Sequence, residues 1–410
     1  MHPQHSFLTV LVTAALLGGC AGDDAPNVAA PGLITLDSHV DIPLDFATPA
    51  VDPLTANLQV NLDKMLRGGL DAGFFIVYVG QTARTEANYA QAQTEALTKF
   101  AAIHRMTEEL YPERIELAYS AADVERIAGS GKLVAAIGIE NGYVLGPALE
   151  TLERYYELGA RYVTLVHNGD NDLGRSAQPR AELGDSADST AGLTELGAMA
   201  VDRMNRLGIM VDVSHGSKQT ALDAIRLSAA PVIASHSGIA SVSAHPRNLD
   251  DETLLALRDK GGVVQVVAFD AYVKFQPEEQ LAGLRSLRES VGLRAGTAAD
   301  QLPPEQRATY EQGLRTHQER WPAATVQDLV NHIDYAVRLI GVDHVGISSD
   351  FGGGGGVTGW TDATETRNVT NELTARGYSR EDIAKIWSGN LLRVWRDAER
   401  TAAGLAASDR

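Results

Sequence analysis

LVAAIGIE, from Leu133 to Glu140, is a run of seven apolar or small residues closed by a carboxylate. Without polar alternation, such a run reads as a strand buried on both faces, as in a parallel sheet covered by helices. A carboxylate placed behind it is costly to bury unless it is paired or holds a metal. Seven further runs on either side share this construction: Ile34–His39, Gly73–Val79, Arg161–His167, Ile209–His215, Val232–His236, Val263–Phe269 and His344–Asp350. Helical patterns lie between them. In residues 193–207, Leu193, Leu196, Ala200, Met204 and Leu207 recur at three- and four-residue spacing, and Gly208 follows where a helix ends on glycine. Thr325–Ile340 repeats the pattern ahead of the eighth run.

Eight strands alternating with helices predict an α/β fold, a (β/α)8 TIM barrel, over residues 33–400. Residues 401–410 are left as a C-terminal tail. Residues 270–325, polar and carrying Pro303-Pro304, read as an insertion after the seventh run that is helical and covers the barrel mouth.

His39, Glu140, His167, His215, His236 and Asp350 each close one of these runs, and Asp41 lies just beyond the first. The C-terminal strand ends of such a barrel converge on one face, where active sites sit. Residues more than three hundred positions apart are therefore expected in one pocket. In an extended segment residues two apart point the same way, so His39 and Asp41 reach one cation together. Glu140 has two oxygens and can bridge two ions. His215 and His236 close neighbouring runs, about 4.8 Å apart if the strands pair. Counted as ligands, His39, Asp41 and Glu140 hold one ion, and Glu140, His215 and His236 a second, with positions left open for water and substrate. His104, His245, His317, His332 and His344 fall in helices, loops or strand starts and are assigned no chemistry. The glycine run Gly352–Gly356 matches no phosphate-cradling motif and reads as an active-site loop.

Composition narrows the partners. The 410 residues carry a formal net charge of -18, from 53 acidic and 35 basic side chains. That balance repels nucleic acid and gives no polybasic attraction to a lipid surface. The single cysteine, Cys20, allows no intrachain disulfide. It follows an apolar run at residues 7–17, FLTVLVTAALL, too short to span a bilayer as a helix of about 20 residues. This run reads as a signal-peptide core. Leu17-Gly18-Gly19-Cys20 resembles a bacterial lipobox, although residues 1–6 lack Lys or Arg. The expectation is a lipoprotein signal over residues 1–20, a flexible tether over 21–32, and an exported bacterial protein, on the periplasmic side, anchored to a membrane only through lipid on Cys20.

The motifs together resemble the membrane dipeptidase (renal dipeptidase) family of amidohydrolase-like metallopeptidases, from about Thr35 to Trp395. DSHVDIP (37–43) is similar to the family's opening His-x-Asp motif, and IGIENGYVLG (137–146) to the strand with its bridging glutamate. YELGARYVTLVHN, GLTELGAMAVDRMNRLGIMVDVSH, PVIASHS, HPRNLDDETL and DHVGISSDF follow in family order. The resemblance implies two Zn²⁺ per chain, bridged by Glu140 and completed by His39, Asp41, His215 and His236. It also implies that His167 lies near the scissile carbonyl, Arg247 binds the substrate carboxylate, and Asp350 handles the proton. The implied activity is hydrolysis of dipeptides, including those with a C-terminal D-residue, by a metal-bridging hydroxide, in a protein that forms a dimer. This chain departs from the family at Glu140-Asn141-Gly142, at Ser349-Asp350-Phe351-Gly352-Gly353, and after His167 at Asn168–Asn171. Two other readings remain open: a binuclear amidohydrolase acting on a lactone, cyclic amide or phosphoester, and a non-catalytic lipoprotein that binds metal or peptide.

Overall fold

The computed structural model describes residues 33–186, 191–293 and 302–409. The chain divides into a short N-terminal unit, Met1–Pro31, and a second unit, Gly32–Arg410, which carries the fold. The signal, tether and Cys20 expectations lie outside the described residues. No helix among the described residues is long and apolar enough to cross a membrane.

Nine strands form one parallel sheet: β1 (Leu36–Asp41), β2 (Ala72–Tyr78), β3 (Ile115–Leu117), β4 (Leu133–Glu140), β5 (Ala160–Thr164), β6 (Met210–Asp212), β7 (Ile233–Ser237), β8 (Val263–Val267) and β9 (Val345–Ser348). Their order is β1-β2-β4-β5-β6-β7-β8-β9, with β3 paired beside β4. The sheet curls back on itself where Asp41 N donates to Phe351 O at 2.8 Å and Val40 bridges Phe351. The eight-strand path is thus a nearly closed (β/α)8 barrel. All eight residues of β4 are buried, as its unbroken apolar run requires.

Several helices start where side chains satisfy their first N–H groups. Thr194 caps the helix Glu195–Leu207, accepting from Gly197 N, so that helix begins two residues later than periodicity predicts, and Leu193 instead donates its N–H to Asp223. Thr325 and Asp328 form a reciprocal capping box that starts Val326–Ile340. The 270–325 insertion is helical in its described parts, with helices at Asp270–Val273, Glu278–Ser290 and Pro304–Arg320. Its first turn supplies Tyr272 to a cavity at the barrel mouth, whereas the two longer helices contribute no lining residue there.

The strands differ from the sequence expectation mainly at their ends. The three-residue β3 is too short to show as a run, and β5, β6 and β9 stop early, leaving His167, His215 and Asp350 beyond the last ladder residue. Buried side chains take over at that point. Asp212, the last residue of β6, accepts from Thr164 Oγ1 (2.5 Å), Ser214 N (3.0 Å), Ser235 N (2.8 Å) and Ser235 Oγ (2.6 Å). One carboxylate therefore ties β5, β6 and β7 together where main-chain pairing gives out, its desolvation offset by four donors.

Candidate metal centre and active site

All of the predicted ligands meet at the C-terminal mouth of the barrel. His39 Nε2 lies 3.5 Å from Asp41 Oδ2, 3.7 Å from Glu140 Oε2 and 3.9 Å from Asp350 Oδ1. The other oxygen of Glu140 faces a second set: Oε1 is 3.0 Å from His215 Nε2, 3.2 Å from His236 Nε2 and 3.7 Å from His167 Nε2. Three overlapping groups of candidate ligands result among the described residues: His39-Asp41-Glu140, Glu140-His167-His215 and His39-His236-Asp350. The two carboxylate oxygens therefore address different histidines.

Each histidine is oriented by a partner on its far nitrogen. Tyr162 Oη donates to Ser38 O at 3.0 Å and so accepts from His39 Nδ1 at 2.9 Å. Ser235 Oγ donates to Asp212 and accepts from His236 Nδ1 at 2.8 Å. Asn168 Oδ1 accepts from His215 Nδ1 at 3.0 Å. With the proton on Nδ1, a neutral ring presents a bare Nε2 lone pair, the form that ligates a metal.

Those lone pairs point at one another and at carboxylate oxygens, and buried His39 Nε2 and Asp41 Oδ1 have no hydrogen-bond partner. Ligands 2.0–2.1 Å from a tetrahedral zinc stand about 3.3 Å apart. The separations of 2.9 to 3.7 Å among His39, Asp41, Glu140, His215 and His236 bracket that value. The donor set therefore fits divalent metal.

The electrostatics of the cluster follow from the same crowding of buried charged groups. Burial opposes charge on His39, but the Glu140 and Asp41 carboxylates prevail and raise its pKa well above the ordinary imidazole value. Burial likewise opposes charge on Glu140, which His167 and His39 nonetheless hold well below the usual carboxylate range. Burial pushes His236 down to about 3 and His215 well below normal. Asp350 is raised well above the carboxylate range, chiefly by burial, with Asp41 and Glu140 adding to the effect against His39.

The backbone is shaped to this purpose. His215 (φ 66°), Asp350 (φ 58°) and Asn141 (φ 80°) all adopt left-handed conformations uncommon for non-glycine residues. At Asn141 the side chain stabilises the turn: Nδ2 donates to Val79 O at 3.0 Å, and Oδ1 accepts from Tyr143 N and Asn171 Nδ2, each at 3.2 Å. The glycine run packs against the ligands. A methyl group on Gly353 would come within 2.4 Å of Asp41 Oδ2 and 2.5 Å of Asp350 Oδ1.

A cavity of about 550 Å³ opens over the centre, lined by Asp41, Glu140, His167, His215 and Asp350 together with Tyr78, Lys99, Phe269 and Tyr272. His167 stands at its wall with its ring 4.8 Å from that of Tyr78. Burial lowers its pKa despite Glu140, which leaves it neutral near pH 7. Arg247 lies deeper, 2 % exposed. Its Nη2 donates to His236 O at 3.2 Å, its guanidinium sits 5.4 Å from the Tyr272 ring centre, and its Nε has no partner. It therefore stands behind Tyr272 rather than in the cavity lining. Among the lining residues that escaped the sequence reading are Tyr78, Tyr272 and Lys99. Lys99 had a signal: it occupies a core-facing position of the helix Glu86–His104, on the stripe of Ala92, Ala96, Phe100 and Ile103.

Residues 30–409 match the membrane dipeptidase family, peptidase family M19. The dipeptidase tcpJ of Claviceps purpurea is 30% identical over 350 residues, covering 84% of this chain and 70% of that protein. The crystal structure of the probable dipeptidase PvdM from Pseudomonas aeruginosa superposes with a TM-score of 0.79 at 34% identity, covering 90% of this chain and 96% of that one. A metallopeptidase from Rhodobacter sphaeroides has the same fold, with a TM-score of 0.68 at 23% identity, covering 90% and 99%.

Proposed function

The chain belongs to the membrane dipeptidase family, as a metallopeptidase on an amidohydrolase barrel, and from that premise we propose a dipeptidase that works with two zinc ions bridged by Glu140. The observation carrying this reading is the division of labour at Glu140. Oε2 faces His39 beside Asp41, while Oε1 faces His215 and His236. Imidazole and carboxylate donors suit zinc, and the five residues leave coordination positions free for a reacting water and substrate.

Bound there, the metal pair supplies an activated water as nucleophile and a Lewis acid for the peptide carbonyl. The protein supplies the remaining steps. His167, neutral and at the cavity wall, donates from Nε2 to the oxygen on which negative charge develops. Asp350 takes the proton released by the attacking water on its carboxylate and returns it to the departing amine. Arg247, with its Nε unpaired, is the anchor for the substrate α-carboxylate and limits substrates to two residues, among them L,D-dipeptides.

The same proposal keeps the N-terminal reading: export, and attachment to a membrane through Cys20. The purified, zinc-loaded protein should release free amino acids from L,L- and L,D-dipeptides and leave tripeptides intact. Cleavage of a lactone or phosphoester panel instead would favour another amidohydrolase activity, and zinc binding without turnover would favour a non-catalytic binder.

A further inference from the structure

Lys99 is the unused charge in this cavity. It is 7 % exposed, on a helix face otherwise apolar, and it lines the wall beside Tyr78. Its Nζ stands 5.5 Å from the Tyr78 ring centre, and no acceptor or carboxylate among the described residues pairs with it. An ammonium group has three donors, and here they are offered to the cavity rather than to a protein acceptor. Burial disfavours its charge, and the Asp41, Glu140 and Glu95 carboxylates favour it. Once Asp41 and Glu140 serve cations, Glu95 is the carboxylate left to offset it, and the Nζ donors remain available to an anion that enters the cavity.

The barrel places this charge across from the other buried cation. Lys99 follows β2 and Arg247 follows β7, and around the ring of eight strands these are four positions apart in either direction. One cation suffices for a substrate α-carboxylate. A second, placed in the cavity wall on the other side of the barrel, is available to a second anion on the same small molecule. We propose that Lys99 is a specificity residue that takes a side-chain carboxylate, so that the preferred substrates are dipeptides containing Asp or Glu. This inference rests on the dipeptidase reading above.

The test begins with the unmodified zinc-loaded enzyme on matched pairs that differ only in charge: Ala-Glu against Ala-Gln, Glu-Ala against Gln-Ala, and their Asp/Asn counterparts. The acidic member of at least one pair should have a kcat/KM about ten- to a hundredfold higher, mainly through KM. In Lys99→Met that ratio should fall toward one, and Lys99→Arg should restore much of it. A ratio near one in the unmodified enzyme overturns the inference without any variant. So does a Lys99→Met enzyme that keeps the acidic preference while losing activity on every substrate alike, because that marks a structural role. If Lys99→Met does not fold, Lys99→Gln carries the same comparison. Cleavage of neutral dipeptides with no acidic preference defeats this inference alone, whereas failure to cleave any dipeptide defeats the proposed function and this inference with it.

Discussion

Nε2 of His215 and Nε2 of His236 lie 2.9 Å apart, and both face the same oxygen of Glu140. Two bare imidazole lone pairs and a carboxylate oxygen repel one another at that range unless a cation lies among them. Their far nitrogens, held by Asn168 and Ser235, keep both rings in this orientation. The barrel thus holds three groups together whose mutual repulsion a cation among them would relieve.

The orienting partners should tune metal affinity. Burial holds the Tyr162 phenol well above its ordinary pKa, so it remains a neutral hydroxyl that donates to Ser38 O and accepts from His39. Tyr162→Phe keeps the ring and removes the acceptor. Zinc affinity of the His39-Asp41-Glu140 set should fall about ten- to a hundredfold, the usual cost of losing such a partner. Competition with a fluorescent chelator measures it, and unchanged affinity would remove Tyr162 from this role.

The glycine run should tolerate no side chain at its second position. In Gly353→Ala the new methyl group meets Asp41 and Asp350 carboxylate oxygens at van der Waals overlap. Displacing either by about 1 Å should lower kcat/KM about a hundredfold. Circular dichroism should show the fold retained, and a fully active variant would mean that these carboxylates lie elsewhere.

Proton transfer and substrate anchoring should separate kinetically. Asp350→Asn should keep two zinc ions per chain, measured by elemental analysis, while kcat falls by about 10²- to 10⁴-fold. Arg247→Ala should act chiefly by raising KM for dipeptides. An unchanged KM would assign Arg247 to the wall behind Tyr272 alone.

Away from the metal, His332 should make stability depend on pH. It is fully buried; its Nδ1 accepts from Ile239 N at 3.0 Å and its Nε2 donates to Val273 O at 3.1 Å, a pairing that only the neutral ring can make. Burial lowers its pKa to about 4 from 6.5. The unfolded chain therefore binds the proton first. The contribution is fully present above pH 6.5 and is lost as pH falls toward 4, amounting to roughly 3 kcal/mol across that window. Denaturant melts of the protein and of His332→Gln should show their stability difference shrinking over this range. A constant difference would contradict the assignment.

The apolar runs made the barrel legible, because strands buried on both faces are nearly continuous in sequence, as β4 is. The convergence of His39, Asp41, Glu140, His215, His236 and Asp350 was legible for the same reason: residues that close such strands are delivered to one face. Strand ends were less so. Asp212 replaces ladder hydrogen bonds with side-chain bonds, and nothing in VDVSH marks where one gives way to the other. The left-handed backbone at His215 and Asp350 was hidden too, since no glycine announces it. In sequence Lys99 is one lysine among several, and only its place on the apolar stripe of Ala92, Ala96, Phe100 and Ile103 sets it apart. The position of Arg247 behind Tyr272 depends on the insertion after β8, whose packing its composition does not reveal.

The bridging role of Glu140 is tested most directly by titrating the metal-free protein with zinc while following dipeptide turnover in the same sample. Turnover should stay low through the first equivalent and reach its plateau at two zinc ions per chain. A plateau at one equivalent, or turnover in the metal-free protein, would contradict a centre built on the two oxygens of Glu140.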